Sequence, residues 1–354
     1  MEKIGVQDVE NLAAGAAVLG TGGGGDPRVG KLMAEQAIEK HGPIEVIQPR
    51  DVPDDSFVIP TAMMGAPMVS TEKLPKGDEA LKSFRALENY LGGEGFATMS
   101  IEIGGLNSTI PLAVAASLEM PIVDADGMGR AFPEIQMVTP TLGGISATPM
   151  AMGDEKGNAV FLETVDNFWT EKFSRSVTSD MGGSAIIALY AMNGEEIRDH
   201  TIHGSLTRVS RIGQAVMESK SPLEDLLEVT GGYHLFRGKV VDVNREITGG
   251  FVEGKAFLEG IEGFEGRLEI EFQNENLIAR KDGEVMATTP DLICVVDSDT
   301  AEPITTEGIK YGYRVDVLGV PCNDKWRSKE AIDLVGPGYF GYDVEYEPIE
   351  RRFE

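Results

Sequence analysis

From Val6 to Leu19 the apolar positions Val9, Leu12, Ala13, Ala16, Ala17 and Leu19 keep a rough 3.6-residue period, which predicts a helix. Asp8 sits near its start, where a carboxylate suits the positive end of the helix dipole. A glycine run interrupts the pattern, and a second helix is expected over about Val29 to Lys40. Ile44 to Ile47 and Phe57 to Thr61 have strand character, Asp78 to Leu91 helix, Phe96 to Ile101 strand, Pro111 to Leu118 helix, and Pro121 to Asp124 a short apolar strand. Alternation of this kind predicts an α/β layer with a partly parallel sheet. Asp166 to Met192 is expected to be largely helical, interrupted at Gly182-Gly183, and Leu206 to Ser219 and Leu223 to Val229 are further helices.

From about Tyr233 the texture changes to short strands punctuated by glycine. Leu268-Glu269-Ile270-Glu271-Phe272 alternates as a half-buried strand should, and Leu292 to Val296 is an apolar strand. Evenly spaced strands of this kind suggest a barrel or a sandwich. The expected organisation is therefore an α/β domain over residues 1–165, then residues 166–354 as a helical connector leading into a β-rich, barrel-like domain. A length of 354 residues agrees with two domains.

Charge narrows the partners. With 31 Lys and Arg against 58 Asp and Glu, the net charge is −27. Such a surface repels phosphate backbones and anionic lipid heads, so neither nucleic acid nor a membrane is an expected partner. No uninterrupted apolar stretch reaches the ~18 residues of a membrane span. Met1-Glu2-Lys3-Ile4-Gly5 has no apolar leader region. The two cysteines, Cys294 and Cys322, make no disulfide framework, and a reducing cytoplasm is the expected location. A small-molecule substrate is the expected partner, with a homo-oligomer a base-rate expectation.

Three segments carry candidate chemistry. Gly20-Thr21-Gly22-Gly23-Gly24-Gly25-Asp26-Pro27 offers close backbone approach, so that the N–H groups of Gly22, Gly23, Gly24 and Gly25 can bind a substrate anion or carbonyl at the start of a helix. Alternatively, the run is a connector. Asp26 is a base, a polar anchor or a helix N-cap. In Glu102-Ile103-Gly104-Gly105-Leu106-Asn107-Ser108 a strand hands over to a helix, the edge at which open α/β sheets bind ligands. Glu102 supplies an acid and Asn107 a two-sided amide, unless Asn107 or Ser108 only caps the helix. In Asp124-Ala125-Asp126-Gly127-Met128-Gly129-Arg130 two carboxylates end a strand, where repulsion can raise one into the general-base range. Arg130 can clamp a substrate carboxylate or simply pair with an Asp.

Some chemistries are disfavoured. There is no His-x-His pair, HExxH or Gly-x-Ser-x-Gly elbow, and the glycine run lacks the Gly-Lys-Ser/Thr of a P-loop. His200 and His203 lack a Cys or His partner nearby. No cofactor is expected, although carboxylates alone could hold Mg²⁺ or Ca²⁺. Cys294 is expected to be an inert core thiol and Cys322 a loop residue without an activating partner. The tail Gly336-Pro337-Gly338-Tyr339-Phe340-Gly341-Tyr342-Asp343 either packs over the site or forms a terminal strand sealing the core, the second being the favoured expectation.

The three candidate segments, the continuation Ala131-Phe132-Pro133-Glu134 and the tail Val335 to Asp343 together resemble the S-methyl-thiohydantoin desulfurase-like family, often discussed alongside hydantoinase and oxoprolinase proteins. The resemblance covers most of the chain. It implies an α/β three-layer first domain, a β-barrel-like second domain, and hydrolysis of a thiohydantoin-type ring substituent with release of a thiol. It implies no catalytic set. From chemistry alone, Asp124 or Asp126 is expected to activate water, Glu102 or Asp26 to protonate the leaving group, the Gly22–Gly25 amides to hold the developing anion, and Asn107 and Arg130 to orient the ring. The competing functions are an accessory partner of a hydantoinase-type enzyme and a nucleotide-dependent enzyme.

Overall fold

The computed structural model describes residues 1–25, 27–65, 78–248 and 251–354. Helix Val6–Leu19 forms where the apolar period places it, and the Asp8 carboxylate accepts the Gly5 N–H at 2.8 Å. Helices Arg28–His41, Asp78–Leu91 and Ile110–Leu118 match the periodic segments.

The first sheet contains β1 (Lys3–Ile4), β2 (Ile44–Ile47), β3 (Phe57–Gly65), β4 (Gly95–Ser100), β5 (Ile122–Val123), β7 (Met150–Gly153), β8 (Ala159–Leu162) and β9 (Ser184–Ala188). A two-residue strand, β6 (Ala125–Asp126), pairs apart from it with β10 (Ile202–His203). The order is β1-β2-β5-β4-β3-β9-β7-β8. Its centre, β2-β5-β4-β3, is parallel, and the flanking strands run antiparallel. The parallel strands are buried and mostly apolar, as they must be when covered on both faces.

One expectation is corrected here. Asp166 to Met192 is helical only over Asn167–Asp180, with Asp166 capping the first turn through the Trp169 N–H. After the turn at Gly182-Gly183, Ser184–Ala188 becomes β9, antiparallel to β3, and carries the first sheet past residue 165. A run as apolar as Ala185-Ile186-Ile187-Ala188 suits either element, and the open edge of β3 decides it.

The C-terminal strands β11 (Tyr233–Thr248), β12 (Phe251–Gly260), β13 (Arg267–Gln273), β14 (Glu275–Lys281), β15 (Glu284–Thr288), β16 (Leu292–Asp297) and β17 (Arg314–Val320) make one antiparallel sheet, curled into a half-barrel. In β16, Ile293 and Val295 point into the half-barrel core, while Leu292, Cys294 and Val296 join the core of the first domain. A strand buried on both faces joins the two halves without a linker. The tail Gly336 to Asp343 follows helix Lys329–Val335 and runs through turns, not a terminal strand. Among the described residues, no helix is long and apolar enough to cross a membrane.

Candidate functional site

The three sequence motifs meet through their backbones. The Leu106 N–H donates to the Gly24 carbonyl at 2.8 Å, the Gly104 N–H to the Arg130 carbonyl at 3.3 Å, and the Ala131 N–H to the Leu19 carbonyl at 3.2 Å. Contacts this close require glycine. A Cβ on Gly24, at φ +72°, would lie 2.7 Å from the Gly104 oxygen, and one on Gly105, at φ +69°, would lie 2.4 Å from the Gly24 oxygen.

Beside this junction, at the carboxyl ends of β3 and β4, is a cavity of about 110 Å³. Its wall is mixed, with Met63, Met64, Leu106, Met128, Phe132 and Ile135 among the apolar lining side chains. Its polar groups are Glu102, Asn107, Glu134, Glu171, Arg175, Asn274 and Glu275, and the Gly24 and Gly25 backbone completes it.

Glu102 is 5% exposed. One of its oxygens accepts the Asn107 amide at 2.7 Å and the other the Phe132 N–H at 3.2 Å. Asn107 is itself fixed by β3: it accepts the Met63 N–H at 2.7 Å and donates to the Met63 carbonyl at 3.2 Å. Glu275, at the start of β14, enters from the half-barrel and is 2% exposed. Its Oε1 accepts the Gly24 N–H at 3.1 Å, and its Oε2 has no hydrogen-bond partner among the described residues. Burial, and then repulsion from Glu275, holds the Glu102 carboxyl well above the usual range. Burial pushes Glu275 up to about 8 against the opposing pull of Arg130. Two acids buried together cannot both ionise readily, so at neutral pH at least one keeps its proton.

Two further groups close the rim. Glu171 accepts the Ile135 N–H at 3.0 Å and holds Arg175, whose guanidinium donates to the Pro133 carbonyl at 3.1 Å and stacks 4.2 Å over the Phe251 ring of β12. Glu134 accepts the Tyr339 hydroxyl at 2.8 Å, so the C-terminal turn reaches the site.

Of the sequence candidates among the described residues, Glu102, Asn107, Gly24 and Gly25 line the cavity, and Gly22, Gly23, Asp124, Asp126 and Arg130 do not. Asp126 is fully enclosed: one oxygen accepts the N–H groups of Ile103, Met128 and Gly129 at 3.1, 2.9 and 2.7 Å, and the other accepts the Ser205 hydroxyl at 2.6 Å. Burial still raises it to about 6. Asp124 binds the N–H and hydroxyl of Thr207, at 3.1 and 2.5 Å, and faces a separate crevice.

Arg130 is wholly buried and donates to the carbonyls of Ala131, Pro290 and Asp291 and to the Thr21 hydroxyl, which ties the two domains together. The Gly22 carbonyl accepts the Thr306 N–H at 2.7 Å and its hydroxyl at 3.1 Å. A Cβ on Gly23 would strike Glu275. The Gly23 N–H donates to the Gly20 carbonyl and the Gly24 N–H to Glu275, so neither is free for an incoming anion. Asp26 lies outside the described residues.

Glu275 escapes sequence reasoning because it is one of many glutamates in the β region. The available signal is an acid opening an otherwise apolar strand, Glu275-Asn276-Leu277-Ile278-Ala279. Burial raises the thiols of Cys294 and Cys322 to about 12, which leaves both protonated and poor nucleophiles. Among the described residues, no group of three or more His, Cys, Asp or Glu is arranged to hold a metal ion.

Comparison with known proteins agrees with this architecture. A search of curated proteins finds no match. The fold is similar to the crystal structure of a protein from Chromobacterium violaceum, with a TM-score of 0.81 at 23% identity over 99% of this chain and 100% of that one. Residues 7–164 match the S-Me-THD-like N-terminal domain and residues 165–349 the S-Me-THD-like C-terminal domain. The chain thus belongs to the S-Me-THD-like family, the S-methyl-thiohydantoin desulfurase-like family that its motifs resemble.

Proposed function

We propose that this cavity hydrolyses a hydantoin-like ring carrying an alkylthio substituent, and that Glu102 and Glu275 are its acid and base. The observation that carries the reading is the pair of buried carboxylates, one from each domain, in one cavity, with the Glu275 Oε2 lacking a partner among the described residues.

Ionised Glu275 takes a proton from water as the water oxygen bonds to the ring carbon bearing sulfur. Protonated Glu102 donates to sulfur as the carbon–sulfur bond breaks and the sulfur leaves as a thiol. The hydroxyl proton remaining on the ring carbon's new oxygen shifts to the ring nitrogen, and the proton held by Glu275 returns to Glu102 through solvent. Overall, N=C–S–R and water give NH–C=O and R–SH. The apolar side chains Met63, Leu106, Met128 and Phe132 offer a flat ring a surface to lie on. Asn107 fixes the Glu102 carboxyl, and Arg175 is the cation available to an oxygen on the ring or its tail. This assignment places water activation on Glu275, and Asp124 and Asp126 keep structural tasks.

The test is thiol release from a 2-methylthio-substituted hydantoin-type ring by the purified full chain, followed with a thiol reagent. Turnover that disappears in both Glu102→Gln and Glu275→Gln is expected. No release, or release undiminished in both variants, overturns the reading.

A further inference from the structure

A second crevice opens on the same edge of the parallel sheet, beyond the ends of β2 and β5. It has a volume of about 310 Å³ and is lined by Gln48, Asp124, Gly204, Thr207, Arg208, Arg211 and Val229. Gly204, Thr207, Arg208 and Arg211 recur at i, i+3, i+4 and i+7, so helix Ser205–Glu218 and its cap present one face to this space. The opposite face, with Leu206, Val209, Ile212, Gly213 and Val216, is buried in the core.

The charge on the free face is unusual for this chain. Net charge is −27, and most cations with recorded partners pair with nearby carboxylates. Arg208 is half-buried and Arg211 exposed, and neither guanidinium makes a hydrogen bond or ion pair among the described residues. Asp126 acts on Arg208 only from beyond ion-pair distance, and its oxygens are already occupied. Asp124 also lines the crevice, but both its oxygens are held by Thr207. Burial disfavours the charged Arg208 guanidinium, a cost that a bound counter-ion would offset.

We infer that this crevice is a second binding site, for a small oxyanion such as a phosphate or carboxylate group, held by the Arg208 and Arg211 guanidinium groups. Its position at the carboxyl ends of parallel strands is one at which α/β sheets take ligands. It is separate from the Glu102–Glu275 cavity and does not depend on the reaction proposed there. The two are joined through Asp126, which holds Ser205 at the start of the arginine helix with one oxygen and, with the other, the N–H of Ile103, next to Glu102.

The test is calorimetric titration of the full chain with sodium phosphate at constant ionic strength, repeated with sodium succinate. Saturable one-site binding of either anion is expected, weakened at least tenfold in Arg208→Gln and in Arg211→Gln and unchanged in Glu275→Gln. Arg211 is exposed, so that variant remains informative if Arg208→Gln fails to fold. The absence of saturable binding by both anions overturns the site, as does unchanged affinity in Arg211→Gln or loss of binding only in Glu275→Gln.

Discussion

Asp126 and Glu275 are both almost completely hidden from water, and they do opposite things. Asp126 receives four protein donors and lashes the ends of β4 and β6 to helix Ser205–Glu218. Glu275 receives one backbone donor, from Gly24, and keeps a second oxygen without a partner among the described residues. Burial raises both, yet Asp126 stays near 6 because its donors favour the charged form, while Glu275 reaches about 8. Burial alone therefore does not mark a reactive acid. The distinction lies in whether its lone pairs are already engaged.

The sharpest way to break this contrast is a pair of isosteric substitutions. Glu275→Gln should lower thiol release by at least ~10²-fold, the scale of a general base. Its melting temperature should hold or rise, because an amide replaces an acid that folding prefers protonated. Asp126→Asn should instead place an amide nitrogen against protein donors and cost about 2–4 kcal/mol of stability, read by chemical denaturation, with turnover per folded molecule falling less than tenfold. A dead but fully stable Asp126→Asn, beside an active Glu275→Gln, reverses the assignment.

The pH dependence sharpens the same contrast. With Glu275 ionised and Glu102 protonated in the reactive form, kcat/KM rises as pH climbs towards about 8 and falls once Glu102 loses its proton, and the two limbs belong to the coupled pair. Stability runs the other way. A carboxyl raised from an ordinary 4.5 to about 8 binds its proton more tightly when folded, so its contribution is complete below about 4.5 and is lost as pH climbs to 8. In Glu275→Gln, the decline of stability across that window should shrink, as followed by melting temperature against pH. The smallest effect is expected from Asn107→Ala. The variant loses two hydrogen bonds to the Met63 backbone and one to Glu102, and the last, worth ~1 kcal/mol, should lower kcat roughly five- to tenfold. It should also move the alkaline limb to higher pH, because the Asn107 donor favours ionised Glu102. An unmoved limb would separate Asn107 from the acid.

Much of the scaffold is legible in the chain. The period of Val6 to Leu19 and the alternation of Leu268 to Phe272 directly express which face meets the core. β9 is not, because a short apolar run has no period, and only the neighbouring β3 determines its state. The site is half legible. Glu102 and Asn107 stand at a strand end beside paired glycines, a local pattern. Glu275 is 173 positions from Glu102 and reaches it only through the curl of the half-barrel (275 − 102). Asp126 and Arg130 mislead for one reason: a carboxylate or guanidinium among glycines looks the same in sequence whether its partners are a substrate or the protein's own main chain.

The Gly24–Glu275 contact also sets a schedule for synthesis on the ribosome. The glycine loop and Glu102 emerge early, but their acidic counterpart follows only after the long β11–β12 hairpin and β13 have been made. A nascent or truncated chain ending before residue 275 would carry half of a reactive pair and no means of using it. In the proposed reaction, chemistry would begin only when the second domain docks.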